Sequence, residues 1–159
     1  LRAGAAWNET AFVMTWDDPG GFFDHVVPPM SAPHPDNQSA CFCSEQGECQ
    51  AHDPRGYDPY TRLGSRVPVI VASPWIKKGT VVSEPEAAHK PFGDSRYDGT
   101  SLVATIKRLF GLPSFLTKRD AWSAPFDHLF EELAAPRTDT PVHLPDAPPP
   151  TEAGVSDDQ

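Results

Sequence analysis

Nineteen prolines in 159 residues constrain this chain more than any other feature. A proline fixes its own φ and has no amide to donate, and the usual share is about one residue in twenty. Regular elements are therefore confined to short stretches where proline is absent or sits at an end, and the rest must run as irregular chain. Residues 11–16 (Ala11-Phe12-Val13-Met14-Thr15-Trp16) are one such stretch, an apolar run rich in β-formers that predicts a buried strand. Residues 67–72 (Val67-Pro68-Val69-Ile70-Val71-Ala72) are another. Their near-continuous β-branched pattern predicts a strand buried on both faces, as in a parallel sheet covered by helices. Pro68 lies near its start, where proline is tolerated.

Helical spacing is clearest over residues 100–110. Leu102, Val103, Ile106, Leu109 and Phe110 fall on one stripe, predicted to face inward, with Thr105, Lys107 and Arg108 off it and Gly111 placed to end the helix. A second helix is predicted to start near Pro125, with Phe126, Leu129, Phe130 and Leu133 inward. Residues 30–62 carry cysteines and prolines and no sustained period, a long loop of the kind that is usually functional or mobile. From Arg137 the chain is proline-rich, acidic and poor in large apolar groups, so 137–159 is expected to be a disordered tail behind a body of 1–136.

The formal net charge of −9 disfavours nucleic acid and anionic membrane surfaces as partners. No apolar run approaches the roughly twenty residues that span a bilayer. The chain opens Leu1-Arg2-Ala3-Gly4, without a leader and without Met, and is expected to be a piece of a longer protein.

Chemistry concentrates where the first strand ends. Asp17 and Asp18 are adjacent carboxylates followed by Pro19-Gly20-Gly21, a turn that brings Asp24 and His25 back toward the same mouth. Ligands of open α/β sheets bind outside the carboxyl ends of strands. Paired carboxylates repel unless a cation or shared proton intervenes, and oxygen donors suit Mg²⁺, Ca²⁺ or Mn²⁺, with Zn²⁺ also accepting them. On composition alone, a plain solvated turn accounts for the same residues.

The run Thr15-Trp16-Asp17-Asp18-Pro19-Gly20-Gly21-Phe22-Phe23-Asp24-His25-Val26 resembles the Asp-Glu-x-x-Gly-x-x-Asp-His-Val motif of the non-specific phospholipase C and acid phosphatase family of phosphoesterases. Gly64-Ser65-Arg66-Val67-Pro68 with Pro74 matches a second family motif. Phe115-Leu116-Thr117-Lys118-Arg119-Asp120-Ala121-Trp122 and Arg137-Thr138-Asp139-Thr140-Pro141 resemble the plant branch. The likeness covers roughly residues 7–145 apart from the loop. It implies the C-terminal part of an α/β fold, an alkaline-phosphatase-like α/β/α sandwich. It further implies hydrolysis of a phosphoric ester, either a phospholipid cleaved in the phospholipase C manner or a small soluble phosphomonoester.

By the same resemblance Asp17 and Asp18 would bind a divalent metal ion, and Asp24 and His25 belong to the active-site motif. Arg66 is a candidate for a bidentate phosphate contact or, alternatively, for an ion pair that steadies the second strand. Phe22, Phe23 and Trp75 are candidates to admit an acyl chain or to serve as core.

The family's Glu-Asn-Arg-Ser-Phe-Asp and Thr-x-Pro-Asn-Arg motifs, which supply further ligands and surround the nucleophile, are absent. The missing N-terminal part of the protein is thus an expected partner, and the chain alone is expected to be inactive. Asp18 stands where the family has Glu, and Gly99 where it usually has His; a degraded, non-catalytic binding protein is the reading these departures favour. The local alternative for Gly99 is a turn at Asp98-Gly99, with Thr100 or Ser101 capping the next helix.

Cys41, Cys43 and Cys49 are disulfide candidates if the protein is secreted. With His52 they would make a zinc site of unusual spacing. Asn8 and Asn37 begin glycosylation sequons. A secreted or membrane-peripheral location is compatible with all of this.

Overall fold

The computed structural model describes residues 1–36, 42–43, 49–50 and 59–149. Its strands are β1 (Phe12–Thr15), β2 (Phe42–Cys43), β3 (Cys49–Gln50) and β4 (Val69–Ala72), and its α-helices are α1 (Ser101–Leu109) and α2 (Lys118–Trp122). Single 3-10 turns at Trp7–Glu9, Pro59–Thr61, Ala87–His89 and Asp127–Phe130 supply much of the remaining order, as the proline content requires. The architecture is mixed α/β.

Both predicted strands form, but they pair with each other and run antiparallel, Phe12 opposite Ala72 and Thr15 opposite Val69. The parallel, doubly covered sheet expected from the sequence is not present among the described residues. Val69 keeps 54% and Ile70 48% of its surface exposed, and Phe12 and Met14 are exposed as well. An uninterrupted β-branched run records that a strand is apolar on both faces. It does not record whether the covering layers lie in the same stretch of chain.

The 30–62 excursion is closed at its feet. Met30 and Arg62 form an antiparallel bridge, the Ala32 amide donates to the Thr61 carbonyl (2.8 Å) and the Leu63 amide to the Pro29 carbonyl (3.0 Å). Between these feet β2 pairs with β3, Cys43 opposite Cys49. Cys41, Asn37 and His52 lie outside the described residues, and so do the side chains of the other cysteines.

α1 forms where predicted but presents the other face inward. Ser101, Ala104 and Thr105 are buried, whereas Ile106, Leu109 and Phe110 are exposed. Thr105, expected off the inward face, is held there by two hydrogen bonds. Its Oγ1 donates to the Ser101 carbonyl (2.7 Å) and accepts from the Phe126 amide (2.9 Å). Neither Thr100 nor Ser101 caps the helix through its side chain. That role falls to Asp98, whose Oδ1 accepts from the Thr100 amide at 2.9 Å.

The helix expected from Pro125 is only the 3-10 turn Asp127–Phe130, with Leu129 buried. The second α-helix is α2, one turn earlier in the chain. Thr117 caps it, its hydroxyl accepting from the Arg119 and Asp120 amides while Asp120 reaches back, a complete capping box. Asp120 is 2% exposed and also accepts from the Leu116 amide at 2.8 Å. Burial alone pushes its carboxyl up, but the Thr117 hydroxyl and the amides of Leu116 and Thr117 outweigh that, and the net shift is downward.

A polar knot joins the two helices. Asp98 Oδ1 accepts from the hydroxyls of Thr100 and Ser123, each at 2.7 Å. Arg119 Nη1 lies 3.6 Å from Asp98 Oδ2, and its Nε donates to the Pro33 carbonyl at 2.8 Å. Arg119 also bonds the Tyr60 carbonyl, so it ties both feet of the excursion to α2. Residues 137–140, at the start of the expected tail, touch the body. The Arg137 amide donates to the Pro74 carbonyl at 2.8 Å, Thr140 is buried, and Arg2 bonds the carbonyls of Thr138 and Thr140.

Candidate functional site

Antiparallel pairing puts the exit of β1 beside the entrance of β4. Thr15 Oγ1 donates to the Pro68 carbonyl at 3.1 Å, so the Asp17–Asp18 turn and residues 66–68 share one end of the sheet. The chain then reverses through Gly20 (φ 71°) and Gly21 (φ 74°), conformations that side chains other than glycine resist. Asp18 Oδ1 accepts from the Gly20 amide at 2.6 Å, which fixes the turn locally.

The reversal delivers Asp24 to Arg66. The guanidinium grips the carboxylate with two bonds, Nε to Oδ2 at 2.8 Å and Nη2 to Oδ1 at 2.7 Å. The amides of Arg66 (3.2 Å) and Val26 (3.0 Å) add two more. Bonding to the Arg66 side chain, then to the Val26 amide, holds the Asp24 carboxyl well below the usual carboxylate range. The same bond pushes the Arg66 guanidinium up. The Asp24 carboxylate accepts its bonds from Arg66 and the Val26 amide, not from its neighbour His25. The His25 ring is exposed, and its Nδ1 stands 3.8 Å from Asp24 Oδ1, too far for a hydrogen bond.

Asp24, His25 and Arg66 line an open depression of about 480 Å³ together with Pro19, Phe22, Phe23, Ser65, Val67 and Pro68. Asp17 and Asp18 are at the same end of the sheet but do not line that depression. Both are exposed. Among the described residues no group of three His, Cys, Asp or Glu side chains could enclose a metal ion. Both carboxylates are hard oxygen donors by type, and a metal shell would need further ligands besides these two. Among the described residues nothing lies within 4 Å of where a Cβ on Gly99 would project. Trp75 is turned away from the depression, its Nε1 donating to the Asn8 carbonyl at 2.7 Å.

Of the two roles open to Arg66, the structure shows the ion pair, and its partner, which sequence reasoning did not name, is Asp24, 42 residues away. One feature escaped sequence reasoning altogether. His89 and His128 stack with ring centroids 3.7 Å apart and planes at 6°. Burial, then the neighbouring His89, pushes His128 down, and His128 Nδ1 is buried without a partner among the described residues. Nothing in the spacing of two isolated histidines marks such a stack.

The model of the Phosphoesterase family matches residues 1–113, and the chain belongs to that family. It is 46% identical over 151 residues to non-specific phospholipase C6 of Arabidopsis thaliana, covering 94% of this chain and 26% of that protein. Non-specific phospholipase C3 of the same plant is 41% identical over 153 residues, covering 93% and 25%. The non-hemolytic phospholipase C of Burkholderia pseudomallei (strain K96243) is 38% identical over 104 residues, 65% of this chain and 13% of its own length. The chain thus spans about a quarter of the length of its plant relatives.

Proposed function

We propose that this chain is the C-terminal part of a metal-dependent phosphoesterase that hydrolyses the phosphoric ester of a phospholipid in the phospholipase C manner, releasing diacylglycerol and a phosphorylated headgroup. The whole protein would have the alkaline-phosphatase-like α/β/α sandwich, with β1 and β4 inside it and the missing N-terminal part completing the site. The observation that carries the reading is the shared sheet end. There the clamped Asp24, the His25 ring and the Arg66 guanidinium line one depression, with the exposed Asp17–Asp18 pair at the same end of the sheet, in a family whose relatives are named phospholipases C.

In this reading Asp17 and Asp18 hold one side of a divalent metal ion. When bound, the ion would neutralise charge on the phosphoryl oxygens and align the attacking group. His25, exposed on the wall of the depression, donates to a phosphoryl oxygen or to the departing glycerol oxygen. Asp24 holds the turn that aims His25. Arg66 keeps Asp24 in place and directs its remaining donor capacity at the depression.

The test is made on the longer protein. Phosphatidylcholine and p-nitrophenyl phosphate are offered in parallel, and Asp17→Ala is compared with the parent for turnover and bound metal. Loss of a ligand should lower kcat/KM by more than the roughly 10–100-fold that an outer-shell partner costs. Equal metal content and equal turnover in the two proteins would remove Asp17 from the site. Preference for p-nitrophenyl phosphate would replace the lipid with a soluble phosphomonoester.

A further inference from the structure

Phe22 and Phe23 sit between the two fixed points of the site. On one side the Asp18 carboxylate locks the Gly20–Gly21 reversal. On the other Arg66 clamps Asp24. The two rings between these anchors keep 81% and 92% of their surface exposed, and Val27 keeps 82%. Both rings line the same depression as His25 and Arg66.

Burying a phenylalanine side chain is worth about 1.5–3 kcal/mol, and this turn forgoes that gain twice over. A cluster of exposed apolar groups joined to a polar pocket marks a place where a ligand or partner completes the contact. A soluble phosphomonoester has little apolar surface to offer such rings. A phospholipid offers ester-linked acyl chains beside its phosphate.

We infer that Phe22 and Phe23 are the substrate-selecting residues of this site, packing against the acyl-glycerol part of a phospholipid while its phosphate occupies the depression beside His25. The inference rests on the phosphoesterase reading and adds to it the two residues that meet the acyl-glycerol part of the substrate. This chain's net charge of −9 disfavours an anionic bilayer beside it, so the test uses zwitterionic vesicles. The aromatic pair then serves as an interfacial wedge, since amphipathic proteins use Phe, Trp and Leu to enter the headgroup boundary.

The experiment again uses the longer protein. In Phe22→Ala/Phe23→Ala the ratio of kcat/KM on phosphatidylcholine vesicles to kcat/KM on p-nitrophenylphosphorylcholine should fall at least about 10-fold, well within what two lost aromatic contacts supply. Phe23→Trp should restore the ratio. Its added fluorescence should be quenched by vesicles of brominated phosphatidylcholine. An unchanged ratio, or absence of quenching, would overturn the inference and assign the rings to a contact with another part of the protein. Should the parent hydrolyse neither substrate, the phosphoesterase reading falls, while quenching still reports separately whether the rings meet lipid.

Discussion

The two ends of this molecule are finished to different degrees. Around α1 and α2 the interior is small and much of it is polar, while Ile106, Leu109, Phe110 and Leu116 stay outside it. Ser95, Ser101, Thr105, Asp120, Ser123 and Asp127 are buried beside Ala104, Trp122, Ala124 and Leu129. Trp122 Nε1 finds the Asp94 carboxylate (3.1 Å), and Asp127 is gripped by Arg108 (2.7 Å). Around β1 and β4 the balance is reversed, with Met14, Val69 and Ile70 in contact with solvent and one exposed ion pair joining the turn to the second strand. Most buried polar groups at the helical end are satisfied where they sit, the Tyr97 hydroxyl and His128 Nδ1 being exceptions among the described residues. Apolar faces can wait for a cover from elsewhere, and both ends leave some bare, which fits a chain about a quarter as long as its plant relatives.

The sharpest way to break this contrast is to remove Asp120. Asp120→Ala deletes the reach-back of the capping box and strands the amides of Leu116 and Thr117. It should cost about 2–4 kcal/mol, read as a lowered urea midpoint. A change below about 0.5 kcal/mol, the range of ordinary surface substitutions, would show that the helical end is not held by its polar interior.

At the other end, Arg66→Ala should leave the urea midpoint almost where it was, because the pair it breaks is exposed and such pairs stabilise little. Turnover by the longer protein should nonetheless fall about 10–100-fold, as for other supporting residues of a site, because the turn carrying His25 loses its tether. The Asp24 carboxyl is depressed from its ordinary 3.8. Its link to Arg66 is thus fully present above that value and is lost only as pH falls well below it. The pH–rate profile between about pH 5 and 8, the range in which an ordinary histidine changes charge, should therefore keep its shape in Asp24→Asn. A changed shape would make Asp24 a titrating participant.

The smallest effect belongs to the stacked histidines. His128 is depressed from 6.5, so its contribution is intact above 6.5 and is lost as pH falls through the lower folded value, where the ring must take up a proton beside His89. The melting temperature should decline across that window, and His128→Gln should flatten the decline. An equal slope in both proteins would place the acid sensitivity elsewhere.

The sequence revealed these two ends unequally. β1, β4 and α1 were legible because period and β-branching are local. The Asp17-to-Val26 turn was legible because glycine and proline punctuate it. The direction of β4 was not, since a run such as Val69-Ile70-Val71 is equally apolar in parallel and antiparallel pairing. The inward face of α1 was misjudged because Thr105 gains two hydrogen bonds inside, and a hydrophobic stripe does not predict that. Thr117-x-x-Asp120 is a capping-box pattern in plain view and marks α2, whereas the helical spacing of Phe126, Leu129, Phe130 and Leu133 yields only one 3-10 turn.

The bridge between Met30 and Arg62 closes the excursion like a clasp, and Arg119 fastens the clasp to α2. Met30 follows His25 by five residues and Arg62 precedes Arg66 by four, so a single change at the clasp would be felt at the sheet end as well as in the excursion.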